Sequence, residues 1–283
     1  MRIYIVIPAH NEEEFLHQTL ESLAEQTFLP QKVIVVNDAS KDGTLELANS
    51  FSKKHPWLKV VSTKSEPVHR PGAKVIRAFN EGLRRLDEDF DILMKLDADI
   101  LLPKNYLETI THHFKSNPKI GMTAGFACVE KEGQWVVENL TDTDHIRGAL
   151  KAYRKECFTA IGGLQEAMGW DTLDEILVRY FGWEIKTDIR LLAKHLKPTG
   201  ERYQTKSGSL QGEVFYRLHY GLFLTKIAVL KLAWRKKSMV YFFNAIRGYF
   251  SAWISNQPKL LTQDQGKFHR KYRWKKIYGK IFN

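Results

Sequence analysis

The stretch MKLDADILLP, Met94 to Pro103, sets two carboxylates, Asp97 and Asp99, one residue apart at the end of an apolar run. Residues i and i+2 of a strand face the same way, so an extended chain here aims both at one ligand. Clustered carboxylates suit a hard divalent cation, Mg²⁺ or Mn²⁺, which takes oxygen ligands and commonly completes its shell with phosphates. The plainer alternative is an aspartate turn ahead of the helix expected after Pro103. Spacing alone does not separate the two.

The elements around this pair carry more information. RIYIVIP, KVIVVND, LKVVST and FDILMKLDAD are apolar, β-rich runs. Between them, EEEFLHQTLESLAEQ, DGTLELANSFSKKH and a segment opening at RPGAK show helical spacing. Continuous apolar strands separated by amphipathic helices predict an α/β fold, a mostly parallel sheet covered on both faces. Ligands of such sheets bind beyond the carboxyl ends of the strands. Those ends read PAHNEEE, NDASKDGT and LDAD, and all are polar or acidic, which points to one shared site. Further along, GMTAGFACVEKEGQWVVEN predicts strands turning at Gly133, and HIRGALKAYRKECFTAIGG predicts helix. GWDTLDEILVRYFGWEIKTD predicts a loop, a short helix and a strand.

Taken in order, IVIPAHNEEEFLHQTLESL, VIVVNDASKDGTLELA, RPGAKVIRAFNEGL, LKLDADILLP and FTAIGGLQEAMGWDTLDE resemble the inverting family 2 glycosyltransferases of the GT-A fold. The resemblance spans roughly residues 3–200. It implies a nucleotide-diphosphate sugar as donor and a divalent metal, Mn or Mg, held by Asp97, Asp99 and His195. Pro8, Ala9 and Glu12 then match the segment lining the nucleoside, and Asp38 matches the acid contacting base or ribose. Gly72 and Lys74, at a helix start with free N–H groups, would approach the diphosphate together with Asp97. The acid after Gly162-Gly163 supplies the general base in relatives. That landmark favours Asp171, with Asp174 as the alternative, and either residue has the plainer role of capping a helix that begins near Thr172. Trp170 stands where relatives carry a further acid, and an indole there suits a sugar face or the core. The Gln-x-x-Arg-Trp motif of processive members is absent, so one transfer per encounter is expected. The implied acceptor is a saccharide or lipid-linked glycan in cell-surface polysaccharide or glycolipid synthesis. A polyprenyl-phosphate sugar transferase and an inactive nucleotide- or glycan-binding protein are the alternatives.

Charge divides the 283 residues into two regions. From position 201 onward lie 17 of the 43 Lys and Arg but only three of the 32 acids, which leaves the first 200 mildly acidic. The expected organisation is a catalytic domain over 1–200 and a basic helical extension over 201–283. Met239, Phe242, Phe243, Ile246, Phe250, Trp253 and Ile254 follow helical spacing. The tail KFHRKYRWKKIYGKIF interleaves basic and aromatic residues, which fits packing with peripheral membrane contact. No nucleic-acid-binding module occurs, so nucleic acid is not an expected partner. Two cysteines without metal or scaffold spacing fit a reducing compartment. The expected location is therefore cytoplasmic, at the inner face of the membrane.

Overall fold

A computed structural model of the chain describes residues 1–63, 72–138, 145–197 and 207–281. The chain forms two compact units, Met1–Pro198 and Thr199–Asn283. Arg70 and Pro71 of the RPGAK segment and the expected boundary near Gly200 lie outside the described residues.

The first unit begins β1 (Ile3–Ala9), α1 (Glu13–Ala24), β2 (Lys32–Asp38), α2 (Thr44–Ser52), β3 (Leu58–Thr63), α3 (Ala73–Leu83) and β4 (Ile92–Lys95). These strands lie parallel in the order β3-β2-β1-β4. Ile3, Ile5, Val6 and Ile7 of β1 and Val33, Val35 and Val36 of β2 are sealed from solvent, because helices cover both faces.

The remainder makes the sheet mixed. β5 (Ile100–Leu101), α4 (Tyr106–Ser116), β6 (Ile120–Lys131), β7 (Gln134–Val137), β8 (Ala152–Arg154), α5 (Lys155–Ala160), α6 (Trp170–Tyr180) and β9 (Glu184–His195) follow. The sheet continues β4-β8-β6-β9-β5, with β7 hairpinned onto β6. β8 runs antiparallel to both its neighbours, and β5 antiparallel to β9.

Two expectations are corrected here. The helix expected over 145–163 is instead a loop, the strand β8 and the six-residue α5. β8 pairs Met94 with Ala152 and Met122 with Tyr153, filling a gap where the backbones of β4 and β6 would otherwise be buried without partners. That requirement outweighs local helical preference. The fourth strand also ends at Lys95 rather than running through Asp99. Leu96 N–H still reaches the carbonyl of Val6, but Asp97 N–H bonds the carbonyl of Ala149, and Ala98 and Asp99 lie in a turn. Strand alternation is therefore not what orients the two aspartates.

The second unit holds α7 (Ser207–Arg217), α8 (Leu222–Arg235), α9 (Met239–Ile254) and α10 (Gln263–Ile281). α7 and α9 cross at glycines. A Cβ on Gly212 would lie 1.8 Å from the Ala245 carbonyl oxygen, and one on Gly248 2.0 Å from that of Ser209. Backbone cannot yield there as a side chain would. Gly248→Val should therefore destabilise this unit by about 1–3 kcal/mol or more. The loss would appear in urea unfolding followed by tryptophan fluorescence, and an unchanged midpoint would contradict the close crossing.

Candidate active site

The carboxyl ends of β1, β2 and β4 share one edge of the parallel half-sheet, since Ala9 registers with Asn37 and Val6 with Lys95. Two loops at this edge are tied to each other. Glu12 N–H donates to Thr44 Oγ1 at 2.8 Å, and the Glu13 carboxylate accepts from Gly43 N–H at 2.8 Å. Asn11 and Ala39 turn with φ of 55° and 51°. For alanine this is a strained conformation, and it directly follows Asp38.

Asp38 is not a helix cap, because α2 starts from Gly43 and Asp42 accepts from Thr44 N–H. The Asp38 carboxylate instead accepts from Thr63 Oγ1 at 3.1 Å and pairs with Lys74 at 3.4 Å. Lys74 lies in the first turn of α3, which contains no acid. Gly72 precedes that turn with φ +78°, and a Cβ on it would meet the Ala167 carbonyl and Met168 Cα at 3.2 Å. The start of α3 thus abuts the loop leading into α6.

A second corner is built by a two-residue ladder. Ile100 of β5 pairs with His195 and Leu101 with Lys194, while Leu196 N–H donates to the Asp99 carbonyl. This register brings His195 Nε2 to 3.2 Å from the Asp99 carboxylate, both side chains being buried. Lys197, two residues further on, reaches Glu12 Oε1 at 2.9 Å. Burial raises the Glu12 carboxyl above its ordinary range, against the pull of Lys197. Glu12 Oε2 and His195 Nδ1 are both buried without a hydrogen-bond partner. Asp97 turns elsewhere, its carboxylate bonded to the buried amine of Lys95. Among the described residues no three His, Cys, Asp or Glu side chains converge as a metal-ligand group.

The third corner starts at α6. Asp171 is the second residue of this helix, and Gly169, not Asp171, occupies the cap position. Among the described residues no side chain bonds its carboxylate. Asp174 differs: it is 2% exposed and accepts from Lys151 Nζ at 2.7 and 2.9 Å and from the Tyr153 hydroxyl. Burial raises the Asp174 carboxyl to about 6 despite that lysine. Burial also acts on Glu175, but Lys151, His145 and Arg179 outweigh it and hold that carboxyl at about 2. Asp174 is thus a structural anchor whose oxygens are already engaged.

Trp170 is 7% exposed, which places it in the core rather than on an open sugar platform. Lys95 and Lys151 set their amines 5.2 and 5.5 Å from its ring centroid, a cation–π arrangement with two cations. Lys95 also donates to the Gly148 carbonyl at 3.0 Å, and Lys151 to that of Asp171 at 2.5 Å. One buried lysine therefore holds Asp97 and the other holds the first turn of α6. Sequence reasoning missed both lysines, and Lys197 as well. A lysine inside the apolar run Ile92–Leu96 was the available signal for Lys95, whereas Lys151 was hidden in a segment read as helix.

A half-parallel sheet with acidic loops gathered at its carboxyl edge, completed by strands of the opposite sense, is the GT-A architecture. The chain belongs to glycosyl transferase family 2, whose model matches residues 4–163. It is 26% identical over 216 residues to the poly-beta-1,6-N-acetyl-D-glucosamine synthase of Staphylococcus epidermidis, covering 69% of this chain and 50% of that protein. A probable glycosyltransferase of Bacillus subtilis, YdaM, is 30% identical over 126 residues, covering 44% of this chain and 29% of its own. The chain thus spans half or less of these curated relatives. Among solved structures, a mannosyltransferase of Pyrobaculum calidifontis in complex with GDP-Man and Mn²⁺ superposes with TM-score 0.60 at 18% identity, covering 98% of this chain and 81% of that one. TarS 1-349 of S. aureus in complex with UDP gives 0.56 at 19% identity, covering 69% and 60%. No described helix is long and apolar enough to cross a membrane.

Proposed function

We propose that this chain moves one sugar, with inversion, from a nucleoside-diphosphate sugar to a saccharide or lipid-linked acceptor in the synthesis of a cell-surface polysaccharide or glycolipid. The observation that carries this reading is the buried Asp99–His195 pair, with the unpartnered His195 Nδ1 and Glu12 Oε2 in the same loop cluster. Buried polar atoms without partners are costly, and a ligand that engages them explains their persistence. Their oxygen and imidazole donors fit Mn²⁺ or Mg²⁺, which Asp99 and His195 would hold. A cation held there would act as a Lewis acid on the diphosphate.

The chain's own residues take the remaining tasks. Pro8, Ala9, Glu12 and Asp38 line the nucleoside end. Gly72 and Lys74 present the start of α3 to the diphosphate, where N–H groups and the helix dipole favour anions. Asp97, held by Lys95, orients the sugar. Asp171 accepts the proton of the acceptor hydroxyl as that oxygen bonds to the anomeric carbon. The bond from that carbon to the diphosphate breaks, and its electron pair leaves with the nucleoside diphosphate. The absence of the Gln-x-x-Arg-Trp motif supports one transfer per encounter, and the similarity to a polysaccharide synthase supports a glycan acceptor.

Thermal-shift measurements with UDP, GDP, dTDP and CDP, each with and without Mn²⁺, test the donor site. A ligand at one hundred times its Kd stabilises the folded state by about 2.7 kcal/mol. One nucleotide should raise the melting temperature only with Mn²⁺ present, and Asp99→Ala should abolish that shift. A folded protein that responds to none of the four would overturn the reading.

A further inference from the structure

α8 has apolar side chains on two faces. Leu224, Val229 and Ala233 are buried, but Phe223, Ile227, Leu230 and Trp234, at i, i+4, i+7 and i+11, form a stripe along the exposed side. Phe223 is 75% exposed and Trp234 84%. Directly after the turn, Met239, Val240 and Phe243 extend the exposed apolar surface onto the start of α9. A continuous stripe of this kind on a water-facing helix marks an interaction surface.

The surrounding charge says what it meets. Lys226, Lys231, Arg235, Lys236 and Lys237 are all exposed and flank the stripe or its tip. Between Glu213 and Asp264 the chain contains no acid. A second copy docking through this face would set like charges against each other, since a two-fold interface opposes a patch to itself. A negatively charged apolar phase matches both features: aromatic and aliphatic side chains enter the acyl boundary while Lys and Arg meet acidic headgroups.

We infer that the exposed face of the α8–α9 hairpin docks onto an anionic lipid bilayer, lying in its headgroup layer without spanning it. The sequence directed attention to the apolar residues of α9 and to the basic tail. Of that set Met239, Phe243, Trp253 and Ile254 are exposed, while α9 packs inside the second unit through Tyr241, Ala245, Gly248 and Ala252, and α10 through His269. The stripe of α8 joins Met239 and Phe243 of that set at the hairpin tip. This inference stands on the second unit alone, so its failure leaves the proposed reaction untouched.

The test is co-sedimentation of the full chain with vesicles of phosphatidylcholine alone or with about one third phosphatidylglycerol. Binding is expected to the anionic vesicles, weakening steeply with salt. The double variant Phe223→Ser/Trp234→Ser should bind at least about tenfold more weakly while its circular dichroism and melting temperature are unchanged. Both positions are solvent-facing, so the fold does not depend on them. Equal binding to neutral vesicles, undiminished binding by the double variant, or no binding by folded protein would each overturn the inference. So would a dimer, seen by sedimentation without lipid, that the double variant dissociates.

Discussion

Asp171→Asn should lower kcat by about 10²–10⁴-fold, the span general-base catalysis contributes, equivalent to roughly 3–5 kcal/mol at 1.36 kcal/mol per decade. Donor binding, read by the nucleotide-dependent thermal shift, should be unchanged, because in the proposed role the lost group addresses the acceptor hydroxyl rather than the diphosphate. The fold should be unaffected too. Lys151 bonds the backbone carbonyl of Asp171, which the amide retains, and no described side chain bonds the carboxylate. Asp174 cannot take over, since Lys151 and Tyr153 engage both its oxygens. Single-turnover assays with a saturating donor measure the effect directly. A variant that keeps the wild-type rate would remove Asp171 from the mechanism.

Lys151→Met carries the second large effect, on stability. Lys151 is 0% exposed and lies between Asp174, at 2.7 Å, and Glu175, at 3.7 Å. Removing one partner of a buried ion pair leaves an uncompensated charge and costs about 3–5 kcal/mol. Glu175 keeps His145 and Arg179, so the loss concentrates on Asp174. Lys151→Met/Asp174→Asn should therefore recover a large part of it, because the remaining amide carbonyl still accepts from Tyr153. Urea unfolding of the two single variants and the double variant forms the cycle that isolates the pair. Additive losses would show that the lysine and the aspartate are not coupled.

The sequence made β1 to β4 and α1 to α3 legible because each is a local pattern, an apolar run or a helical period closed by polar residues. Asp97 and Asp99 stood out for the same reason. The rest of the site depends on pairings between distant residues. His195 meets Asp99 only through the register of β5 on β9, 96 positions apart, and nothing local encodes that register. The lysines escaped because burial of an amine is a property of its surroundings. Lys95 and Lys151 are stable inside only because Asp97, Asp174 and backbone carbonyls converge on them. β8 misread as helix has the same origin, since three residues became a strand where two other strands needed a neighbour.

That late neighbour has a consequence for the order of synthesis. The outer edge of β4 pairs with Ala152–Arg154, so a ribosome must add 59 residues after Lys95 before Arg154 exists. At about 5–20 residues per second, a nascent chain carries that raw edge for roughly 3–12 s. An unpaired, apolar strand edge is a template for pairing with other chains. Premature termination within those 59 codons would release a fragment with the parallel half-sheet assembled and its sticky margin open.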